Sequence, residues 1–360
     1  EGVMMEKLFS SEKLRERGDM VSSLYRKYQL PVNIILAVIV LALPFILQSQ
    51  YVMRIVIMIG IYSILALSLG LITGYAGQTS LGHAAFYAIG AYTSALISSN
   101  YGISFFITAP IAAVAAALAG LALGLPTLRL SGTYLAITTL GFSEFVRMVI
   151  LNWDKVTKGP LGISRIPKPN LFGMDLIIRN NGLYYLMLVF LVFTTVTVYF
   201  IVNSKIGRAL MSIRDDELAA TMMGVRTTMY KVLVFVIAAF FAGLAGAFYA
   251  HMISFIDPNT FTFDTSILIL SIVILGGMGT MKGMFVGSAL LISFPEVMRF
   301  LQEYRFVVYG VVLVLTMRFR PQGILGGQKR TPYKLPKGVV EHSTVRDDAT
   351  GPEIVKGDEV

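Results

Sequence analysis

The sequence contains no cysteine, one tryptophan and three histidines, and charged residues make up only 14% of its 360 residues. Without cysteine there is no disulfide, no thiolate metal site, no iron–sulfur cluster and no cysteine nucleophile. The histidines His83, His251 and His342 lie too far apart in sequence to form a metal-ligand set by spacing, so we expect no metal site. Soluble domains carry about 25% charged residues. A chain with so few cannot cover itself with polar groups in water, which excludes an ordinary soluble enzyme.

Apolar residues dominate instead: 55% of the chain is hydrophobic, and the mean hydropathy is +0.71. A helix needs roughly 20 mostly apolar residues to cross a bilayer, and runs near that length recur along the chain. They predict an all-α, polytopic membrane protein with about ten transmembrane helices. The predicted spans are 32–47, 51–72, 82–99, 103–125, 133–153, 183–202, 232–255, 265–281, 284–303 and 306–318.

The basic residues set the expected orientation, since cytoplasmic loops of membrane proteins are enriched in Lys and Arg. With both termini in the cytoplasm, most of the 30 Lys and Arg residues fall on the cytoplasmic side. The loop 154–182 is placed outside although it carries several basic residues, because long loops translocate with less regard to charge. Three regions follow: a cytoplasmic amphipathic arm (1–31), a transmembrane domain (32–318) and a cytoplasmic, largely disordered tail (319–360).

A polar loop, residues 203–231, separates two of the apolar runs and reads NSKIGRALMSIRDDELAATMMGVRTTMYK. Apolar residues at helical spacing predict a short cytoplasmic helix in it, with a tight charge cluster at 214–217. Such a helix is suited to pass force between a soluble partner and the membrane. On periodicity alone, a solvated amphipathic connector fits equally well.

Four segments resemble the permease subunits of branched-chain amino-acid ABC importers. They are GRAL…RDDE…AA…GV within 207–225, GYAGQTSLGHAAFYAIGAY at 74–92, ILGGMGTMKGMFVG at 274–287 and RPQGILG at 320–326. Their order over roughly 32–330 is most similar to the larger of the two permease subunits of such an importer.

The resemblance implies a non-catalytic subunit with several partners. These are a second permease subunit (a heterodimer is favoured), two ABC ATPase subunits that bind ATP and Mg, and a soluble substrate-binding protein. It implies no cofactor in this chain, no nucleic acid, and a multi-pass location in the inner membrane of a prokaryote. The sequence agrees about ATP, since it has no G-x-x-x-x-G-K-[ST] nucleotide loop.

The resemblance also makes 203–231 the coupling loop, the segment that docks on the ATPases. We expect its apolar side (Ala209, Leu210, Ile213, Leu218 and Met222) to seat in a groove while charges fix the register. Movement would then pass to the flanking spans. The expected coupling residues are Gly207, Arg208, Ile213, Arg214, Asp215, Asp216, Glu217, Ala219, Ala220 and Gly224.

The segment 74–92 is rich in small residues, which permit close approach of helices. Its glycines also favour a break in the helix that would expose backbone dipoles to a substrate, as in other transporters. Plain helix packing and a pathway-lining role are both open, and His83 is expected to be a hydrogen-bonded packing residue. The candidates are Gly77, Gln78, Thr79, Ser80, Gly82, His83 and Gly90.

The pattern F-x-E-x-x-R occurs twice, in the outer halves of spans five and nine. It places Glu144 with Arg147 and Glu296 with Arg299, at a spacing that lets the two side chains pair on one helix face. Ionisable residues within spans are costly and usually face an interior or a water-filled path. The hypothesis is a pair of outer-mouth ion pairs that contact the substrate or the binding protein; buried structural pairs are the alternative.

The predicted function is the transmembrane permease of an ATP-driven importer of branched-chain or hydrophobic amino acids. Substrate would pass from a periplasmic or extracellular binding protein to the cytoplasm by alternating access. One alternative is a urea or short-amide ABC permease of the same family. Another is an ion-coupled secondary transporter in which Glu144 and Glu296 carry protons. An enzyme in the membrane has no motif to support it.

Overall fold

The computed structural model describes residues 40–45, 49–127, 130, 132–171, 174–177, 181–297, 310–311, 314, 318 and 323–326. The predicted arm, nearly all of the predicted tail, and most of the predicted spans 32–47 and 306–318 lie outside these residues. Within them the chain is mostly α-helical, with four two-residue strands.

Eleven helices are used in the description below. They are α1 (Gln50–Gly70), α2 (His83–Tyr101), α3 (Phe105–Thr127), α4 (Thr133–Asn152), α5 (Asp154–Thr157), α6 (Gly182–Asn203), α7 (Lys205–Asp215), α8 (Glu217–Met222), α9 (Thr227–Ile253), α10 (Phe263–Gly276) and α11 (Met281–Val297). A π-helical turn, Leu71–Tyr75, extends α1, and 3-10 turns occupy Gly159–Leu161 and Pro258–Thr260. The strands are β1 (Ile163–Ser164), β2 (Asn170–Leu171), β3 (Met174–Asp175) and β4 (Phe255–Ile256).

Six described helices are long and apolar enough to cross a bilayer, which confirms the prediction of a multi-pass helical membrane protein. They are Gln50–Tyr75, Phe105–Thr127, Thr133–Asn152, Gly182–Asn203, Thr227–Ile253 and Pro258–Gly276. Two further predicted spans are also helical, as α2 and α11, but α2 carries several polar residues and α11 is shorter. The span predicted at 232–255 is α9, which begins five residues earlier, at Thr227.

The core lies where α9 packs against α2 and α3, with α1 alongside. Close approach depends on glycine: a Cβ placed on Gly90 of α2 would lie 2.2 Å from the carbonyl oxygen of Gly243 on α9. No side chain fits there, so the two helix backbones are in direct contact, as small residues allow in membrane helices.

The segment between α4 and α6 folds against the end of α9. Strand β1 pairs antiparallel with β4, with Ile163 opposite Ile256. The His251 ring lies 2.6 Å from the carbonyl oxygen of Pro167 through Nδ1 and 2.9 Å from Ser94 Oγ through Nε2. Helix α6, 22 residues or about 33 Å long, separates this end from the coupling loop.

Candidate coupling site

The first helix of the coupling loop, α7, is anchored to the chain's own membrane domain. Ser204 caps it, since its Oγ accepts a hydrogen bond from the Ile206 amide at 3.1 Å. Its apolar residues Leu210 and Ile213 are buried, with 1% and 3% of their surface exposed. These two side chains therefore contact this chain and are not available to a partner.

The expected single helix between Gly207 and Gly224 is wrong in one respect, because the helix breaks at Asp216. Asp216 has an extended backbone (φ −160°, ψ 112°), and its Oδ1 accepts a hydrogen bond from the Ala219 amide at 3.0 Å. It is thus the N-cap of a second helix, α8, a position that aspartate favours. On α8, Leu218 and Met222 are 68% and 78% exposed. The expected single apolar face is split into a buried half and an exposed half.

Arg214, the penultimate residue of α7, joins the loop to the glycine-rich segments of the membrane domain. Its Nη1 donates to the carbonyl oxygen of Gly74 at 3.1 Å, while Nε and Nη2 lie 3.3 and 3.1 Å from Asp215 Oδ1. A Cβ placed on Gly77 would lie 2.6 Å from Arg214 Cγ, and one on Gly279 would lie 3.6 Å from Nη1. The segments 74–92, 207–225 and 274–287, which carry the sequence resemblance, therefore meet at this arginine.

A second link runs from α8 to α9. Glu217 Oε1 lies 2.5 Å from Lys231 Nζ, and the Lys231 side chain is only 6% exposed whereas that of Glu217 is 40% exposed. Sequence reasoning placed Glu217 in the charge cluster but missed Lys231. The sequence signal for Lys231 is its position at the start of a long apolar run, because an unpaired charge there is costly.

The other expected coupling residues divide between the two environments. Gly207 and Ala220 are buried, whereas Arg208, Asp215, Ala219 and Gly224 are exposed. Gly224 ends the α8 turn with a left-handed backbone, φ +83°. The exposed members, together with Leu218 and Met222, form the surface that a soluble partner can reach.

The segment between the π-helical turn and α2 is irregular and mostly buried. Gln78 and Ser80 are 6% and 1% exposed, and neither Gln78 Oε1 nor Ser80 Oγ has a hydrogen-bond partner among the described residues. Thr79 is exposed and donates to the carbonyl oxygen of Gly132 at 3.0 Å. Gly82 lies against Thr139 of α4, whose carbonyl oxygen would be 2.4 Å from an added Cβ. Buried polar atoms such as Gln78 Oε1 and Ser80 Oγ normally have a hydrogen-bond partner.

His83 begins α2 in full burial. Its Nε2 lies 2.7 Å from Ser68 Oγ, and its ring makes an edge contact with Phe86. The next amide, Ala84 N, donates to Ser266 Oγ of α10 at 3.0 Å. Across the described residues, no group of three His, Cys, Asp or Glu side chains is arranged to hold a metal ion.

The first of the two F-x-E-x-x-R motifs forms an ion pair on α4. Arg147 Nε donates to Glu144 Oε2 at 2.9 Å, with side chains 22% and 34% exposed respectively. In the second motif, Glu296 lies in α11 but its side chain is outside the described residues, as is all of Arg299. The second pair therefore stays a prediction.

These features define a multi-pass helical membrane protein whose polar loop, residues 203–231, is hydrogen-bonded to Gly74 in a glycine-rich segment of the same chain. Residues 51–317 match the family described as the permease component of branched-chain amino acid transport systems, and the chain belongs to that family.

Relatives of two kinds were found. The high-affinity branched-chain amino acid transport system permease protein LivM of Salmonella typhimurium is 40% identical over 325 residues, covering 84% of this chain and 76% of that protein. LivM of Escherichia coli K12 is 39% identical over 328 residues, covering 85% and 77%. LivH of E. coli K12, a permease protein of the high-affinity system, is 25% identical over 290 residues, covering 74% and 91%. The chain is therefore more similar to these LivM proteins than to LivH. No solved structure matched.

Proposed function

We propose that this chain is the transmembrane permease subunit of an ATP-driven importer of branched-chain or other hydrophobic amino acids. It lies in the cytoplasmic membrane of a prokaryote, and substrate reaches it from a soluble binding protein and leaves to the cytoplasm by alternating access. The proposal is supported by membership of the permease family and by 40% identity to a LivM protein. The observation that carries the mechanism is the Arg214 junction, where the coupling loop meets both glycine-rich segments.

The chain performs no chemistry itself in this proposal. Two ATPase subunits hydrolyse ATP below the membrane, and a second, different permease subunit completes the pathway. Support for the pairing comes from the relatives, because LivM and LivH are both named as permease proteins of the high-affinity branched-chain amino acid transport system.

Coupling uses the two halves of the loop differently. The exposed side chains of α8, Leu218 and Met222, dock on an ATPase, since exposed apolar side chains gain most from contact with a partner. Two internal contacts then carry the movement into the membrane. Glu217 transmits the movement to α9 through its ion pair with Lys231. Arg214 transmits it to the π-helical end of α1 through its hydrogen bond to the carbonyl of Gly74.

A pathway role for Gln78 and Ser80 is supported by their buried polar atoms, which have no hydrogen-bond partner among the described residues. Gln78 and Ser80 lie in an irregular segment at one end of α2, where a moving substrate or water would satisfy them once the helices separate. Glu144 and Arg147 lie in the opposite half of α4 and are partly exposed, which supports a position at the outer mouth. A charged pair in a span is expected to face protein or water and not lipid.

The test is uptake of labelled leucine into proteoliposomes. The vesicles contain this chain, its companion permease and the candidate ATPases, with binding protein outside and ATP inside. Uptake that requires both ATP and binding protein is the expected result. Uptake that proceeds without ATPases and follows a proton gradient would make the chain a secondary transporter. Uptake of urea or a short amide in preference to leucine would assign a different substrate within the same family.

A further inference from the structure

A groove of about 840 Å³ opens on the surface where α3 ends and α9 begins. One wall is formed by Leu121 and Leu125 of α3, and the other by Val232, Leu233 and Val236 of α9. These walls belong to two of the helices that are apolar enough to cross a bilayer. The groove therefore lies at the edge of the hydrocarbon region, on the coupling-loop side.

A second cavity of about 420 Å³ adjoins the groove and differs from it in chemistry. It shares Gly224, Val225, Arg226 and Met229 with the groove, and its remaining lining residues are Ala209, Met223 and Tyr230. Arg226 and Tyr230, whose side chains carry a guanidinium and a hydroxyl, line this cavity, whereas the two helix walls of the groove are aliphatic. Arg226, an exposed residue, lines both.

We propose that the two cavities together bind one anionic phospholipid of the leaflet that borders the coupling loop. The phosphate lies at Arg226 in the polar cavity, and an acyl chain fills the groove between α3 and α9. An aliphatic groove in a membrane domain is a poor site for water. A guanidinium at its mouth recognises phosphate through charge-assisted hydrogen bonds. The combination matches an amphipathic ligand with an anionic head.

The depth of the groove favours a lipid over a soluble partner. From Thr227 to Val236 the groove follows α9 for ten residues, about 14 Å along the helix axis. A soluble ATPase can reach exposed loop residues but not the side of a helix inside the bilayer. Thr221, near the end of α8, also lines the groove, so the bound lipid touches the helix that we assign to coupling. The lipid site does not depend on the transported substrate.

The single tryptophan of the chain makes a direct test possible. In a Trp153→Phe background, Leu125→Trp places a fluorescent reporter in the groove. Ile107→Trp places a matched reporter at the other end of α3. The native side chains are 55% and 57% exposed, and the sites are 18 residues or about 27 Å apart. The full chain is reconstituted in vesicles containing brominated phosphatidylglycerol or brominated phosphatidylcholine, and quenching is measured against the mole fraction of each.

We expect brominated phosphatidylglycerol to quench the Leu125→Trp reporter at a roughly fivefold lower mole fraction than brominated phosphatidylcholine. This is the ratio for one basic residue near an anionic headgroup. The Ile107→Trp reporter should show no preference. Arg226→Gln should abolish the preference at Leu125→Trp. Arg208→Gln, which removes an exposed arginine of the same loop that lines neither cavity, should leave it.

Three outcomes would overturn the proposal. Equal quenching by both lipids at Leu125→Trp would mean that the groove holds bulk lipid without recognising its head. Loss of the preference in Arg208→Gln as well as in Arg226→Gln would mean a diffuse charge effect without a site. Quenching at Ile107→Trp but none at Leu125→Trp would mean that protein covers the groove.

Discussion

The two short helices of the coupling loop are neighbours in sequence but differ in what their apolar side chains contact. On α7, Leu210 and Ile213 are buried against the chain itself; on α8, Leu218 and Met222 are exposed. Both helices carry an internal charged link, through Arg214 and Glu217 respectively. One half of the loop therefore anchors it to the membrane domain, and the other half is available to a partner.

The largest effect on stability is expected when a buried side chain of α7 is removed. Leu210→Ala removes a buried side chain and should lower the free energy of unfolding of the loop by about 2 to 5 kcal/mol. Leu218→Ala is the matched control, and because its side chain is 68% exposed it should change stability by no more than about 0.5 kcal/mol. Hydrogen exchange of residues 205–222 measures both. Similar exchange in the two variants would contradict the division of the loop.

The next effect concerns the exposed half. Leu218→Asp with Met222→Asp should weaken association with the ATPases roughly tenfold or more, since exposed anchors at the centre of an interface carry most of its energy. The thermal stability of the isolated chain should not change. Leu161→Asp, at a leucine that is 82% exposed in the segment between α4 and α6, is the control and should not alter ATPase binding.

A smaller effect is expected at the link between α8 and α9. Glu217→Gln leaves the buried Lys231 ammonium without its carboxylate and should cost about 1 to 2 kcal/mol, reduced from the value for a fully buried pair because Glu217 is 40% exposed. Adding Lys231→Met should recover most of that loss in a double-mutant cycle. Additive losses would mean that the two side chains do not interact. Asp215→Asn, at a side chain 63% exposed, should have little effect.

Changes at the ion pair of α4 are expected to lower transport without affecting assembly. Arg147→Gln together with Arg299→Gln should reduce leucine uptake several-fold while leaving the complex intact, because the ion pair of Arg147 is partly exposed and lies outside the core. Purification of the full complex checks assembly. Unchanged uptake would remove both motifs from the transport pathway.

Much of the fold could be predicted from apolar runs alone. The span predicted at 51–72 is α1, Gln50–Gly70, and that at 183–202 is α6, Gly182–Asn203. Helix α9 begins five residues before the span predicted at 232–255, because the polar residues Thr227, Thr228 and Lys231 form its first turns. The spacing of apolar residues predicts which residues a helix buries, but it does not predict where the helix begins.

The site was harder to predict. The charge cluster at 214–217 could be recognised in the sequence. The break at Asp216 could not, because the sequence alone does not show whether an aspartate caps a helix or lies within one. The contact of Arg214 with Gly74 joins residues 140 positions apart, and that of Glu217 with Lys231 joins two helices across a turn. Such contacts follow from how the helices pack, which local pattern does not specify.

The most direct test of the division within the coupling loop uses the absence of cysteine, because single-cysteine variants have no background. Leu218→Cys and Leu161→Cys are each reconstituted with the ATPases and treated with a cross-linker of short reach that has one thiol-specific end and one photoreactive end. Our account predicts an ATPase adduct for Leu218→Cys and none for Leu161→Cys. An adduct at Leu161→Cys but not at Leu218→Cys would contradict it, because the ATPases would then bind the opposite end of α6.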